Sequence, residues 1–447
     1  MGRPRQRARL AQWATWACVG VYLFALIPIG GRTLILGSRP VEAVVLAVTA
    51  GIALTSGVAS KAANRVLFSI IGVALVAVLH SVVFPRHLEF GTADDYVVAA
   101  AGFVLTCAST FVFAGWFFER RLFVDTFRRL ATAALVVGLA GYAAWRLVGF
   151  PDLVSRRIDT GVGRMQGTLS EPSAWAPVLG GLILLALRER RWRTLVVLGV
   201  GVALAKSPTV VLVVAASLVI YALADTSAWR ARPLRIAGVV AAVVAGLWFV
   251  ETADPVAWSN SDNEVSQSIG KLLSGIDNVR TGGDVGRNDR YQSTDLTFDE
   301  IDELDIGLVG AGPDAHAVYF AEKYPAPAGA LRGPGPNAIW VMAAFNFGWL
   351  GMLALLALLA LTVARMRRDM EVAAVLLPFV LASLVNSASG FALYKFTLLA
   401  MLLFVFGWSR LRADDNAADR QPTRRVDGEG SPRPARVDDV PAVTGPH

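Results

Sequence analysis

The chain has 447 residues, of which 55% are apolar and 17% charged, and its mean hydropathy is +0.52. That is far too apolar for a pair of ordinary soluble domains and describes an integral membrane protein. The net charge of +7 does not point to nucleic acid, because the basic residues cluster in the short loops between apolar runs.

Apolar runs of about 17 to 25 residues suit a hydrocarbon core of about 30 Å, and such runs recur almost from end to end. Four arginines, Arg3, Arg5, Arg7 and Arg9, precede the first run, Trp13 to Ile29. No cleavage site ends that run and many more follow, so it is read as a span and not as a secretory signal. The next spans are Val41 to Val58, Val66 to Phe84, Tyr96 to Phe118, Leu130 to Phe150 and Ala174 to Leu187. Thr194 to Lys206 and Pro208 to Ala224 are separated only by Ser207-Pro208, a tight turn or a broken helix. Ile236 to Val250 precedes a long polar insert, and Ala338 to Ala364, Val372 to Ser387 and Phe391 to Trp408 follow it. Cys18 and Cys107 lie within spans and give no disulfide framework. His80, His87, His316 and His447 are scattered without the spacing of a metal site.

Basic residues in short loops stay cytoplasmic. On alternate loops stand the N-terminal arginines, Lys61 with Arg65, Arg120, Arg121, Arg128 and Arg129, and the run Arg188 to Arg193. Arg230, Arg232 and Arg235, then Arg365, Arg367 and Arg368, then Arg410 and Arg412 continue the register. The expected fold is therefore an all-α polytopic membrane protein of about twelve transmembrane helices. Both termini are cytoplasmic, and one large outer loop carries short helices. The expected divisions are a basic N-terminus (1–12), nine spans (13–250), the outer insert (251–336), three spans (337–411) and a disordered cytoplasmic tail (412–447).

The insert holds fifteen acidic and six basic residues. Arg287 and Arg290 stand three apart, on one face of a helix, and guanidinium groups grip phosphate through paired hydrogen bonds. They could equally pair with Asp284, Asp289 or the acidic run beyond. Leu296, Ile301, Leu304 and Leu308 follow approximate helical spacing with acids on the other face, and Asp299, Asp302 and Asp305 read as a solvated face and not as a calcium loop. His316 is read as an exposed histidine or as a proton acceptor. Before the sixth span, Ser170 and Pro172 suit a helix start. Glu171 there either favours the positive end of the helix dipole or acts as a base toward a hydroxyl. Asn337 reads as a helix cap, and Gly348 and Gly351 as close-packing positions. Arg146 and Lys395 either snorkel or add positive charge near a bound phosphate.

Arg164, Gly167 and Glu171-Pro172-Ser173, then Arg290 ahead of Gly310-Ala311-Gly312, then Asn337 with Gly348 and Gly351, together resemble the O-antigen polymerase and ligase superfamily. The resemblance implies a GT-C-like, metal-independent glycosyltransferase without a cofactor, in the cytoplasmic membrane of a bacterium with its site on the outer face. Its donor would be a polyprenyl-diphosphate-linked glycan and its acceptor another glycan, with a chain-length regulator as a possible partner. Glu171, Arg290 and His316 are then the catalytic candidates, and Arg157, Arg164, Arg287, Tyr291 and Asn337 the substrate-binding ones. Ligases of the family carry a His-Asn pair where this chain has Pro336-Asn337, which favours a polymerase. The competing expectations are a ligase, a multi-pass transporter of a lipid-linked or polar solute, and a scaffold that docks through the acidic helix.

Overall fold

The computed structural model describes residues 3–24, 26–29, 32–35, 62–83, 90–149, 154–156, 163–165, 167–169, 172–205, 207–224, 289–325, 338–385 and 391–408, with isolated positions between 44 and 55 and at 266, 270 and 336. The expected span Ile236 to Val250, all but isolated positions of Val41 to Val58, most of the insert before 289, and the tail after 408 lie outside these residues. The described part is mostly helical. Its helices are α1 (Arg3–Leu23), α2 (Ala62–Val83), α3 (Ala93–Val112), α4 (Arg120–Val148), α5 (Trp175–Arg188), α6 (Trp192–Ala205) and α7 (Pro208–Ala224). After these come α8 (Asp289–Glu303) and α9 (Ala315–Lys323) in the insert, then α10 (Ile339–Met366), α11 (Met370–Val385) and α12 (Phe391–Phe404).

Among the described residues three helical stretches are long and apolar enough to cross a membrane: Ala93–Phe117, Arg120–Val148 and Ile339–Met366. Six shorter apolar helices accompany them, as expected of a helical membrane protein. The chain departs from an all-helical pattern at two antiparallel hairpins, β1 (Leu26–Ile29) with β2 (Arg32–Ile35) and β3 (Val154–Arg156) with β4 (Gly163–Met165). The first explains why α1 stops at Leu23 and not at Ile29. Pro28 cannot donate to a helix, and Ile29 pairs with Arg32 across Gly30-Gly31.

Local chemistry accounts for the other boundaries. Thr92 and Asp95 form a reciprocal capping box that starts α3. Its far end winds into a π turn, Phe113–Phe117, whose five residues are all buried. The next helix, α4, begins at Arg120, ten residues earlier than the apolar run suggests. Phe123, Val124 and Phe127 are fully buried on one face, and the arginines of the same turns ride the other. Pro208 opens α7 at a position whose N–H a helix does not need, with Val210 N donating to Ser207 O at 3.1 Å.

The core centres on α5, buried from Trp175 to Ala186. It packs against α11, α7, α6 and α4. The glycine pair in α5 permits this approach. A Cβ on Gly180 would lie 2.8 Å from Pro378 of α11, and one on Gly181 2.9 Å from Phe127 of α4. Around this centre α2 packs on α3, α3 on α12, and α1 on α4. At one end of the bundle, ion pairs gather three turns. Arg120 meets Asp369 at 3.1 Å and Glu371 at 2.8 Å, and Arg128 meets Glu189 at 2.9 Å. The start of α4, the α5–α6 turn and the α10–α11 turn therefore share one end. The insert helices gather at the start of α3 and of α10.

Candidate functional site: a polar insert seated on a broken helix

Helix α10 is interrupted at Gly348, whose φ of 68° and ψ of −173° are non-helical. The break strands carbonyl and amide groups that a continuous helix would pair, and apolar surroundings make unpaired groups costly. The turn between α8 and α9 fills it. Ala311 N donates to Phe345 O at 2.8 Å and Gly312 N to Asn346 O at 2.9 Å, while Trp349 N donates to Gly307 O at 2.8 Å. His80 on α2 adds a ring contact, Nε2 to Val309 O at 2.9 Å.

This interleaving is why both strands of the contact carry glycine. Gly310 sits at φ 75°, and a Cβ there would lie 2.5 Å from Asn346 O; a Cβ on Gly348 would lie 2.6 Å from Val309 N. Gly348 therefore makes a break that admits a loop, where the sequence suggested a helix-packing position. Gly351 faces the Phe347 side chain across the same break. The expected cap at Asn337 is also displaced: Ala338 holds the N-cap position of α10, without a side-chain bond, and Asn337 lies outside the described residues.

A second apolar core closes the seat. Ile301, Ile306, Ala311, Ala315, Tyr319 and Phe320 of the insert pack with Tyr96 of α3 and with Ala344 and Phe345 of α10. Leu296 and Leu304 join its edge, as their spacing suggested. Leu308 does not; it lies beyond the helix end and is exposed. Asp295, Asp299, Asp302, Glu303 and Asp305 are the exposed side chains of α8 and its end, a solvated acidic face.

Two polar clusters lie in this seat. In the first, His316 is 8% exposed and Asn346 5%, so His316 is not the exposed histidine that its sequence context suggested. The His316 backbone N donates to Asn346 Oδ1 at 3.2 Å, and Nδ1 lies 3.1 Å from the same oxygen. An oxygen that already accepts the backbone N–H can only accept from the ring as well. Nδ1 thus carries the proton, and Nε2 is the basic nitrogen of the neutral imidazole. Asp314 Oδ1 stands 3.9 Å from Nδ1.

In the second cluster, Glu300 is 2% exposed in the middle of the acidic run. Tyr319 and Tyr324 each donate a short hydrogen bond to its carboxylate. Lys323 Nζ donates to Oε2 at 2.6 Å and to the Tyr319 hydroxyl at 3.0 Å. The Lys323 ammonium also stands 5.4 to 5.6 Å from the ring centres of Phe90, Tyr319 and Tyr324. Burial alone would push the Glu300 carboxyl up, but the hydrogen bonds from Lys323, Tyr319 and Tyr324 outweigh it and hold it below its ordinary value. Burial, then the bond to Glu300, pushes Tyr319 up to about 12. For Lys323, burial works downward and is overcome by the bonds to Glu300 and Tyr319, so the ammonium is held charged. The pair is a buried tie between α8 and α9.

Of the residues singled out in the sequence, Glu171, Arg157, Arg287 and Asn337 lie outside the described residues. Arg290 and Tyr291 fall in the first turn of α8 by backbone position, with side chains outside the described set. Arg164 is half-buried in β4, on a different set of elements: β4 packs against α4 and α6. Nearby, Thr168 donates to Leu23 O at 2.6 Å and Tyr22 to Ala174 O at 3.0 Å, which pins the approach to α5 onto α1. Arg146 is exposed and lies 5.6 Å over the Trp145 ring, whereas Lys395 is buried in α12. Asn346 and the Glu300, Tyr319, Lys323 and Tyr324 set were not singled out in the sequence. The available signal was Tyr319, Lys323 and Tyr324 at one helical turn's spacing opposite a run of acids.

Fold and site together define a helical membrane protein with a polar insert wedged into a broken span. Comparison with known protein families, with curated proteins and with solved structures finds no match to this chain.

Proposed function

We propose that the chain is a metal-independent glycosyltransferase of twelve spans that acts on the outer side of a bacterial cytoplasmic membrane. It would polymerise polyprenyl-diphosphate-linked glycan units for a surface polysaccharide. The observation that carries this reading is the seat on α10. A polar insert is locked into a broken span, with a buried histidine whose Nε2 is the basic nitrogen. A lipid-borne donor presents its diphosphate at such a polar–apolar boundary. Arg290, with Arg287 and Arg164, would neutralise the diphosphate as the anomeric bond breaks. His316 or Glu171 would take the proton of the attacking hydroxyl. The order of the motifs from Arg164 to Gly351 adds the family resemblance.

The deciding experiment is the size distribution of lipid-linked and surface glycans in a deletion strain. The strain is complemented with wild type, Glu171→Gln, Arg290→Ala or His316→Ala. Single repeat units should accumulate with each variant and polymer return only with wild type. Normal polymer left on the wrong lipid would point to a ligase. Normal polymer trapped on the wrong face would point to a transporter, the alternative favoured by the break in α10 and the Ser207-Pro208 junction.

A further inference from the structure

We infer that the turn Gly307–Gly312 is an interfacial element of the membrane domain, at the edge of its lipid-facing surface, with Leu308 and Val309 directed against lipid acyl chains. The inference does not depend on the reaction assigned to the chain. It begins with α10. Before the break, from Ile339 to Gly348, none of its residues is exposed; after it, Trp349, Leu350, Leu353, Ala354, Ala357, Ala360, Leu361 and Ala364 are. These positions recur every three or four residues and all are apolar, the signature of a helix face turned to lipid. The segment 349–366 is long enough, at about 1.5 Å per residue, to cross most of a hydrocarbon core of about 30 Å. The break therefore marks the edge of the lipid-facing stripe.

Leu308 and Val309 lie against that edge. A Cβ on Gly348 would touch the backbone of both, and Trp349 N is bonded to Gly307 O. They are 67% and 43% exposed, comparable with Leu350 at 61% and Leu353 at 58%. Three residues earlier the exposed side chains are all acidic, ending at Asp305. Exposure thus switches from carboxylate to aliphatic within one turn. Trp349, stacked 5.4 Å from Phe298, stands at the switch, where an aromatic ring bridges water and lipid.

Part of the turn's backbone is satisfied by protein, as non-helical chain beside lipid requires. Gly310 N bonds Ile306 O, Ala311 N and Gly312 N bond α10, and the carbonyls of Gly307 and Val309 are taken by Trp349 and His80. Continuity with the α10 stripe commits the occupant of the Leu308–Val309 surface to the bilayer, and not to a soluble partner.

The test uses the full chain in liposomes, with Cys18 and Cys107 replaced by alanine and single cysteines introduced as Leu308→Cys, Val309→Cys, Leu353→Cys or Asp302→Cys, each carrying a nitroxide. All four sites are exposed, so none of the labels displaces core. Collision with oxygen, which concentrates in lipid, is compared with collision with a water-soluble nickel chelate. Labels at 308 and 309 should share the oxygen-dominated ratio of 353 and invert the ratio of 302. A nickel-dominated ratio at 308 and 309 would place the turn in water and overturn the inference. Protection from both agents would show another protein surface, such as a second copy, and overturn it equally.

Discussion

Replacing Gly310 by alanine should undock the insert without unfolding the helical core. A side chain at φ 75° costs about 1 to 2 kcal/mol in the left-handed region. The new Cβ would also press on the α10 backbone, 2.5 Å from Asn346 O. It can be relieved only by separating the two chains. That gives up the bonds from Ala311 N, Gly312 N and Trp349 N, each contributing about 0.5 to 1.5 kcal/mol. The expected loss in docking free energy is about 3 to 6 kcal/mol, so the undocked fraction rises at least about 100-fold. Hydrogen exchange at the amides of Ala311, Gly312 and Trp349, measured in nanodiscs, reads that fraction directly. Gly149→Ala is the control. Gly149 has φ 73° but nothing within 4 Å of a built Cβ, so it carries the conformational cost alone and should leave those three amides protected. Unchanged protection in folded Gly310→Ala would refute the interleaved contact.

Other perturbations address the polar clusters. Glu300→Gln removes the nearer counter-ion of Lys323 and leaves the exposed Glu303 at 3.6 Å; it should cost about 3 kcal/mol, the low end for a broken buried pair because Lys323 keeps part of its solvent. Adding Lys323→Met should return part of it in a thermal-unfolding cycle, and additive losses would show that the two do not interact. The same cluster gives docking a pH window. The depressed Glu300 contributes fully above the unfolded carboxylate value of about 4.3 and is lost as pH falls through its lower folded value. Tyr319 contributes fully below the unfolded value of about 10 and is lost as pH rises through about 12. Lys323, also raised, is lost in the same upward sense. Exchange at the docked amides should therefore be flat between about pH 5 and 10 once corrected for intrinsic rates. A change near neutrality would assign control to another group. Asn346→Asp sets a carboxylate against the Nδ1–H of His316 and favours the imidazolium. If the proposed reaction holds and His316 is its base, the acid limb of the rate moves to higher pH, whereas a purely structural role lowers the rate without moving the limb.

Several apolar helices were legible because an uninterrupted apolar run of that length favours helix. Val66 to Phe84, Pro208 to Ala224 and Val372 to Ser387 match α2, α7 and α11 within four residues. The α4 start was not, since Arg120 to Arg129 look like loop until Phe123 and Phe127 are seen to share a buried face. Glu300 was hidden by composition: one buried carboxylate among exposed Asp299, Asp302 and Glu303 has no sequence mark of its own. The seat on α10 was invisible for a different reason. Gly310-Ala311-Gly312 and Gly348 were each noticed, but their meaning lies in a backbone contact between two segments, and no spacing within either one encodes it. His316 was noticed, while its burial and tautomer depend on Asn346 from the other segment.

The shared apolar core beneath the seat bears on how such a protein can be rebuilt. Tyr96, Ala344 and Phe345 complete a cluster that Ile301, Tyr319 and Phe320 cannot close among themselves. The insert is therefore not a cassette. A chimera that transplants residues 289–325 alone carries half of an interface, and a soluble fragment of the same segment leaves that half bare. The smallest portable piece includes the start of α3 and the first turns of α10 through Trp349, so the insert cannot be moved without moving part of the helical scaffold.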